Sequence, residues 1–333
     1  MRLSEIYNVG VTPSSLVIHC DSAYVCNSNN YGIPNADSVT VLNLKTKTPK
    51  MTIHHESFNE PYRAVAYKDK IYVTNSASPS VVGQQGTVSV IDTKTNSVCQ
   101  VIEGFDGPSA IAIKKSKMYV TNYGAAGGLG SGNGTTISVV DLKTGLIINT
   151  ITTDLAPAAL AFSSCRKYLY CANYTTGLPG TGTINVINLK DNTITSTING
   201  LFGPFGIVVS KCNIAYVTNF GSNNFAPFGN TVSVVDMCKL CILRDIETGI
   251  QPAGICLTDK YLYVSNYNAL YASPINYTNL TYGESTINKI DLECNKVVDT
   301  IKGGQTISSL VCHCDKIYFT SYTLNIVQTL DLC

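Results

Sequence analysis

Short runs of alternating apolar and polar residues recur along the whole chain and predict β-strands rather than helices. One stretch shows the pattern in full, with such runs at residues 109–114, 118–122, 136–142 and 146–151. A Lys-rich turn, a Gly-rich stretch and a Lys-Thr-Gly turn separate these runs in that order. We therefore expect the basic unit of the fold to be a sheet of four antiparallel strands joined in sequence.

The same unit occurs seven times, and its most regular part is a tyrosine-led tetrapeptide at the end of the second strand. The copies begin at Tyr24, Tyr72, Tyr119, Tyr170, Tyr216, Tyr263 and Tyr318, and they read YVCN, YVTN, YVTN, YCAN, YVTN, YVSN and YFTS. Successive tyrosines lie 46 to 55 residues apart. A period of this size in a strand-rich chain is typical of β-propeller blades. The sequence predicts an all-β, seven-bladed β-propeller with four antiparallel strands in each blade.

The predicted propeller is a single domain over residues 1–333 and closes through its N-terminal strand. Its blades are expected roughly at 13–54, 61–103, 108–151, 157–198, 204–247, 252–301, and 306–333 together with 2–9. The last repeat supplies only three strands, and residues 3–9 have the pattern of an outer strand. We therefore expect a three-plus-one composite in blade seven. Such closure removes the exposed sheet edges that favour aggregation.

The tetrapeptides resemble the YVTN-type β-propeller repeat family, together with residues 88–92 (VSVID) downstream and the Gly107-Pro108 pair that opens the next unit. The resemblance covers essentially the whole chain, and the seventh copy departs most, at Phe319 and Ser321. It implies a seven-bladed propeller similar to those of surface layers and cell envelopes, with relatives among redox-enzyme and lactonase propellers. Because one fold carries many functions, the resemblance implies the fold and leaves the activity open.

Composition restricts the functional classes. Charged residues make up 14% of the chain and the net charge is +1, so no specific nucleic-acid binding is expected. No apolar run of about 18 residues occurs, so no membrane insertion is expected. The first residues lack the apolar core of a signal peptide. The compartment therefore stays open, with a virion or surface component made in the cytoplasm as the suspected setting, unless a leader lies outside this sequence.

Blade topology sorts the connections onto two ends of the fold. The turn end holds the turns between strands one and two and between strands three and four, such as 114–117 and 143–145, and it collects most of the lysines. The loop end holds the loops between strands two and three, such as 123–135 and 174–182, and the linkers between blades, and it is more acidic. Lysine also favours solvated turns, so this polarity has an ordinary explanation. The functional alternative is contact with an anionic surface, or stacking of basic ends on acidic ends.

The long loops of the loop end are rich in Gly, Asn, Ser, Pro and Tyr. Tyrosine among small polar residues is typical of recognition surfaces, because a rigid ring gains contact area at low entropy cost. Loops on a rigid scaffold are also where function concentrates. The alternative is ordinary loop composition in an Asn- and Tyr-rich chain. The predicted binding residues, for a protein or glycan partner, are Tyr31, Tyr123, Tyr174, Phe225, Phe228, Tyr271, Tyr277 and Tyr282.

A catalytic alternative comes from the densest polar cluster, which contains His55, Glu60 and Arg63. Histidine beside carboxylates is suited to general acid–base chemistry or to holding a metal. A lactonase-like hydrolase at the channel mouth would use these three residues and a divalent ion. However, His54 and His55 are consecutive and would point to opposite sides of a strand. A solvated strand end is the simpler interpretation.

Two further groups involve cysteine. His19, Cys20, His313 and Cys314 are the right residue types for zinc, but their spacing matches no metal motif, and similarity between two blades explains the duplication. Cys238 and Cys241 would face each other across a two-residue hairpin, within disulfide range. Free thiols are the alternative for that pair.

The leading hypothesis is a non-catalytic structural or recognition propeller without a cofactor. It would be a surface or virion-like component that binds a protein or glycan through the loops between strands two and three. A propeller hydrolase and a self-assembling scaffold with basic-to-acidic stacking are the two alternatives.

Overall fold

A computed structural model describes residues 2–29, 33–76, 85–124, 132–222, 227–271 and 280–332, with the backbone alone at 269–271 and 280–282. Regular structure in this part consists of 30 β-strands, and no described residue lies in a helix. Accordingly, the described residues form no helix long and apolar enough to cross a membrane.

Twenty-eight strands form seven four-stranded antiparallel sheets. The first three sheets after the N-terminal strand β1 (Arg2–Asn8) are β2 (Pro13–His19), β3 (Ser22–Asn27), β4 (Ser38–Asn43) and β5 (Thr48–Ile53); β6 (Pro61–Tyr67), β7 (Lys70–Asn75), β8 (Gly86–Asp92) and β9 (Ser97–Phe105); and β10 (Pro108–Lys114), β11 (Lys117–Asn122), β12 (Thr136–Asp141) and β13 (Leu146–Thr152). These are blades one to three, and neighbours along the chain are neighbours in the sheet.

The remaining sheets repeat this order. They are β14 (Pro157–Phe162), β15 (Tyr168–Asn173), β16 (Gly182–Asn188) and β17 (Thr193–Leu201); β18 (Pro204–Val209), β19 (Ile214–Gly221), β20 (Phe228–Asp236) and β21 (Cys241–Glu247); β22 (Pro252–Leu257), β23 (Tyr261–Asn266), β26 (Glu284–Asp291) and β27 (Lys296–Gln305); and β28 (Ile307–His313), β29 (Lys316–Ser321) and β30 (Ile326–Asp331) with β1. In blade six, β24 (Ala269–Tyr271) and β25 (Leu280–Tyr282) make a small separate hairpin between strands two and three.

The chain divides into two compact units. Unit one comprises Met1–Thr150 with Val311–Cys333 and holds blades one to three and most of blade seven; unit two comprises Ile151–Leu310 and holds blades four to six. Within each unit the β-branched residues of the middle strands pack against the next blade. Tyr24 and Val41 of blade one, for example, share a buried cluster with Ile71 and Val73 of blade two. The middle strands are buried on both faces, as residues 71–75 of β7 show.

Strand β1 completes blade seven as predicted. It pairs antiparallel with β30, from Arg2 opposite Asp331 to Asn8 opposite Ile326. Tyr7 is its one buried side chain, and the Tyr7 hydroxyl donates to Glu5 Oε2 at 2.8 Å.

Glu5 also ties β1 to two neighbouring elements of unit one. Its Oε1 lies 2.6 Å from Lys47 Nζ and 3.0 Å from Lys316 Nζ. Burial acts to raise the pKa of Glu5, but the hydrogen bonds from Lys47, Tyr7 and Lys316 outweigh it and lower the pKa from 4.5 to about 2. The junction between β1 and its neighbours in unit one, called the seam below, is therefore stabilised by the ionised carboxylate of Glu5.

The turns between strands three and four follow one design. In blade two, Asp92 at the end of β8 accepts a hydrogen bond from the Lys94 amide at 2.9 Å, and Asn96 closes the turn at a φ of 53°. The corresponding fourth turn residue has positive φ in blades one and three to six as well, at Lys47, Gly145, Asn192, Leu240 and Asn295. In each of these blades, four residues separate the end of strand three from the start of strand four. In blade two, the residues on either side of the turn, Asp92 and Ser97, pair with each other. The acidic strand ends thus have a structural role.

Candidate functional site

In the first six blades, the asparagine that ends the tetrapeptide holds the base of a loop at the loop end. In blade five, Asn219 Nδ2 donates to Thr231 Oγ1 and to Ser233 Oγ, both at 2.9 Å. The same pair of bonds from strand two to strand three occurs in all of the first six blades, from Asn27, Asn75, Asn122, Asn173, Asn219 and Asn266. The repeated asparagine is therefore scaffold, and it fixes the two strand ends from which each variable loop leaves the sheet.

An aromatic residue follows this asparagine in blades three to six and packs inward in unit two. Phe220 is buried, and its ring centroid lies 5.2 Å from that of Phe205 and 6.1 Å from that of Tyr267. Tyr174 is 3% exposed, and its hydroxyl donates to the backbone carbonyl of Gly221 in the next blade. The rings connect the loop bases of blades four, five and six.

The loop that follows Tyr174 is described in full and is internally braced. Thr181 Oγ1 lies within 3.0 Å of the hydroxyls of Thr175 and Thr176 and donates to the Leu178 carbonyl at 2.8 Å. Thr175 and Gly177 have positive φ values of 58° and 66°, which fold the loop back on itself. This network presents the Leu178 side chain to solvent, with 45% of its surface exposed.

Leu178 is one of several exposed aliphatic side chains at the loop end. In unit two, Ile250 in the linker between β21 and β22 is 38% exposed. In unit one, Ile33 and Leu324, in the loops between strands two and three of blades one and seven, are each 47% exposed. Asn29 braces the Ile33 loop, because its side chain bonds both the amide and the carbonyl of Ile33. The binding residues predicted from the sequence are all aromatic, so these four aliphatic residues are not among them.

The predicted aromatic binding residues differ in whether the structure describes them and in how exposed they are. Tyr31, Phe225 and Tyr277 lie outside the described residues, as do the side chains of Tyr271 and Tyr282 on the short strands β24 and β25. Tyr123 and Phe228 are partly exposed at the loop end. Tyr174 is buried and its hydroxyl is engaged, so it supports its loop and its ring is not available to a partner.

His55, Glu60 and Arg63 are held by neighbours with structural roles. His55 Nδ1 accepts a hydrogen bond from the Ser57 amide at 3.1 Å and lies 2.8 Å from Ser57 Oγ. The Glu60 amide donates to Asp37 Oδ1, and the Glu60 carbonyl accepts from Ser76. The Arg63 guanidinium lies over the ring of the preceding tyrosine, 5.0 Å from its centroid. These contacts organise the linker into blade two.

The proposed zinc ligands do not form a metal site. Cys20 and Cys314 are exposed free thiols in equivalent turns of blades one and seven, and the His313 ring packs against the Tyr318 ring at 6.4 Å. Within the described residues, no group of three or more His, Cys, Asp or Glu side chains has the arrangement needed to hold a metal ion. The duplication of His and Cys follows from the similarity of the two blades.

The prediction of a two-residue hairpin between Cys238 and Cys241 is wrong, and both cysteines are free thiols. The turn between β20 and β21 has four residues rather than two, so Cys241 pairs with Asp236 while Cys238 lies within the turn. Among the described cysteines, Cys256 and Cys312 are the ones that are disulfide-bonded.

Aspartates at the turn end pair with many of its lysines. Exposed ion pairs join Lys45 to Asp21 at 2.6 Å and Lys94 to Asp69 at 2.9 Å in unit one, and Lys211 to Asp259 at 2.7 Å in unit two. The basic character inferred from the lysine count is therefore partly neutralised within the turn end itself.

Comparison with known proteins identifies the fold. No model of a protein family matches the sequence, and no curated protein matches it. The structure is similar to a solved chain of the hydrazine synthase of Kuenenia stuttgartiensis, with a TM-score of 0.75 and 16% sequence identity over 98% of this chain and 97% of that one. Identity at this level shows the fold alone. With its seven four-stranded sheets and its N-terminal strand in the last of them, the chain is a seven-bladed β-propeller.

Proposed function

We propose that this propeller is a non-catalytic recognition module that binds a protein partner through the loops between strands two and three. The observation that carries the proposal is the braced loop 174–181, which holds an exposed Leu178 above a buried Tyr174. A loop backbone that is already held in place loses little conformational entropy on binding, so more of the burial energy of Leu178 contributes to affinity.

The aliphatic character of the exposed side chains favours a protein over a glycan. Leu178 and Ile250 in unit two, and Ile33 and Leu324 in unit one, offer apolar surface without a hydrogen-bonding group. Burial of such side chains in an apolar pocket stabilises a complex by about 25 cal/mol per Å² of surface buried. A sugar presents mainly hydroxyl groups, which aliphatic side chains cannot satisfy.

The repeat and the setting are part of the same proposal. We assign the repeat to the YVTN type on its seven tetrapeptides, six of which end in an asparagine that bridges strands two and three. Propellers with such repeats are similar to surface-layer components, so we propose a surface or virion-like particle as the place where the partner is found.

The test compares two exposed leucines of different location. Leu178→Asp alters the loop end, whereas Leu146→Asp alters the outer strand β13, where the leucine is 64% exposed. Immobilised wild-type protein and both variants are incubated with extracts of the native particle or cell, and retained proteins are identified and then measured as purified partners. We expect Leu178→Asp to weaken binding at least tenfold and Leu146→Asp to leave it unchanged. The proposal would be contradicted if Leu178→Asp and Leu146→Asp bound the partner with equal affinity. It would also be contradicted if the ligand were a glycan that Leu178→Asp bound as tightly as the wild type does.

A further inference from the structure

A chain of hydrogen bonds runs from His55 to the base of the loop between β7 and β8 in unit one. His55 Nδ1 lies 2.8 Å from Ser57 Oγ, and Ser57 Oγ lies 2.7 Å from Ser89 Oγ on β8. Ser89 Oγ also accepts from Asn75 Nδ2 at 2.8 Å, and Asn75 donates to Thr87 Oγ1 at 2.9 Å. Asn75 ends β7 and pairs with Thr87 of β8. The chain therefore connects a titratable ring to the strand ends that carry this loop.

The Ser57 amide determines the direction of these bonds. It donates to His55 Nδ1 at 3.1 Å, and because a backbone amide can only donate, Nδ1 carries no proton in this arrangement. The Ser57 hydroxyl then donates to Nδ1 and accepts from the Ser89 hydroxyl, which itself accepts from Asn75. Every donor in the chain therefore points towards His55.

A proton on Nδ1 reverses part of this chain. Nδ1 then becomes a donor, so the Ser57 amide loses its acceptor and the Ser57 hydroxyl accepts from the ring. The Ser57 hydroxyl now donates to Ser89 Oγ, and the proton of the Ser89 hydroxyl loses its acceptor. Ser89 is fully buried and Asn75 is 1% exposed, so water does not replace the lost bond. Protonation of His55 therefore disturbs hydrogen bonds as far as the base of the loop.

Blade five has a related chain that ends on a different group. Asn219 Nδ2 donates to Ser233 Oγ at 2.9 Å, and Ser233 Oγ donates to Asp245 Oδ1 at 2.6 Å. Carboxylates are ionised above about pH 5 and then act only as acceptors, whereas imidazole gains a proton between about pH 5 and 8. In blade two, the chain thus ends on a side chain that changes its role near neutral pH.

We propose that His55 is an acid-sensitive switch, whose protonation loosens both the linker into blade two and the base of the β7–β8 loop. At neutral pH the ring accepts from the Ser57 amide and hydroxyl and holds residues 54–60 against β8. In mildly acidic solution the imidazolium releases the amide, and the bonds between Ser57, Ser89 and Asn75 rearrange. The switch does not depend on the proposed recognition of a protein partner.

The direct neighbours of the His55 ring carry no charge. They are Ser57, which bonds Ser89, and the Phe58 ring, which lies edge-on to the imidazole at 6.2 Å. The titratable and charged groups of the linker and of the loop-end parts of the neighbouring strands are His54, Glu56, Glu60, Asp37, Arg63 and Glu103. Asp37 also holds the linker, because its Oδ1 accepts from the Glu60 amide at 2.9 Å, and burial raises the pKa of Asp37. Its titration must therefore be separated from that of His55.

The experiment follows the folded full-length protein by NMR between pH 7.5 and pH 5.5. Ring proton shifts report the protonation of His55, and amide hydrogen exchange, expressed as protection relative to an unstructured peptide, reports the bond from Ser57. In the wild type, we expect the protection of the Ser57 amide to fall at least fivefold as His55 becomes protonated. The side-chain amide signals of Asn75 should shift with the same midpoint.

Four variants separate the switch from other effects of pH. His55→Asn keeps an acceptor near the position of Nδ1 but is not protonated at these pH values, so we expect the Ser57 amide to stay protected throughout. His55→Phe removes the acceptor, so this protection should be low at both pH values. His54→Asn, at the exposed neighbouring position, and Asp37→Asn should behave as the wild type does. Circular dichroism establishes that each variant is folded.

Three results would overturn the proposal. The first is equal protection of the Ser57 amide at pH 7.5 and pH 5.5 in the wild type. The second is a loss of protection in His55→Asn as large as in the wild type, which would assign the pH dependence to another group. The third is an Asn75 side chain whose signals do not respond to the protonation of His55, which would confine the effect to the linker.

Discussion

The phenolic hydroxyl of Tyr174 donates a hydrogen bond to the backbone carbonyl of Gly221, 47 residues further along the chain. That separation is one repeat. Tyr174 follows the bridging asparagine of blade four, and Gly221 comes two residues after the bridging asparagine of blade five. The loop base of one blade is therefore positioned by the loop base of the next, and the exposed Leu178 is held on this foundation.

Tyr174→Phe tests whether this bond supports the loop. The ring is retained, but the buried Gly221 carbonyl loses its donor, so we expect the free energy of unfolding to fall by about 1–2 kcal/mol. Amide hydrogen exchange should become faster across residues 174–181. Tyr62→Phe is the control, because the Tyr62 hydroxyl makes no hydrogen bond within the described residues, and its effect should stay within about 0.5 kcal/mol. Equal changes in the free energy of unfolding for the two variants would show that the bond does not stabilise the fold.

Asn219→Ala tests the role of the repeated asparagine. The change removes the bonds to Thr231 and Ser233 and also the acceptor for the Phe202 amide at 3.3 Å. Because these groups are buried, we expect a loss of about 2–3 kcal/mol in the free energy of unfolding, measured by urea denaturation. Asn149→Ala, on the exposed surface of β13, should cost less than about 0.5 kcal/mol. A small effect at Asn219 would mean that the asparagine serves binding rather than structure.

The seam at Glu5 gives a dependence of stability on pH. Because the pKa of Glu5 is lowered from 4.5 to about 2 in the folded protein, its contribution is fully present above pH 4.5 and is lost as the pH falls towards 2. We expect Glu5→Gln to lower the free energy of unfolding by about 1–2 kcal/mol at neutral pH, after allowance for its partial exposure. The difference from wild type should shrink steadily below pH 4.5.

The control for this titration is Glu103→Gln. Glu103 is exposed on β9, and its side chain takes part in none of the ion pairs found in the part of the chain that the structure describes. Its replacement should leave the curve of stability against pH unchanged between pH 7 and the acid transition. A constant difference between Glu5→Gln and wild type over this range would show that the carboxylate charge does not stabilise the seam.

The repeat made the architecture predictable. Strand alternation, the seven tetrapeptides and the outer-strand pattern before Pro13 were sufficient to predict the sheets and the closure by β1. Each of these three sequence patterns involves residues close together in the chain, although the closure itself joins the two ends. The turn at Cys238 was also predictable in principle. Asp92 and Asn96, like Asp291 and Asn295, mark a four-residue turn with a left-handed last position, and Asp236 and Leu240 occupy the same places.

The candidate site was less predictable because its features depend on the next blade. Nothing near Tyr174 in the sequence shows that its hydroxyl reaches Gly221, so its ring was expected to face solvent. The exposure of Leu178 arises from threonine hydroxyl bonds within its loop, and an isolated leucine beside Gly and Pro gives no periodic signal. Both features require the folded loop before they can be recognised.

The most direct test of the proposed recognition surface compares two equally exposed side chains of unit two. Ile250 at the loop end and Leu240 at the turn end are each 38% exposed, so aspartate at either position removes a similar apolar surface. The measurement is the dissociation constant of each variant with the purified partner. We predict that Ile250→Asp weakens binding at least fivefold and that Leu240→Asp leaves it unchanged. A loss confined to Leu240→Asp would place recognition at the turn end and contradict the account.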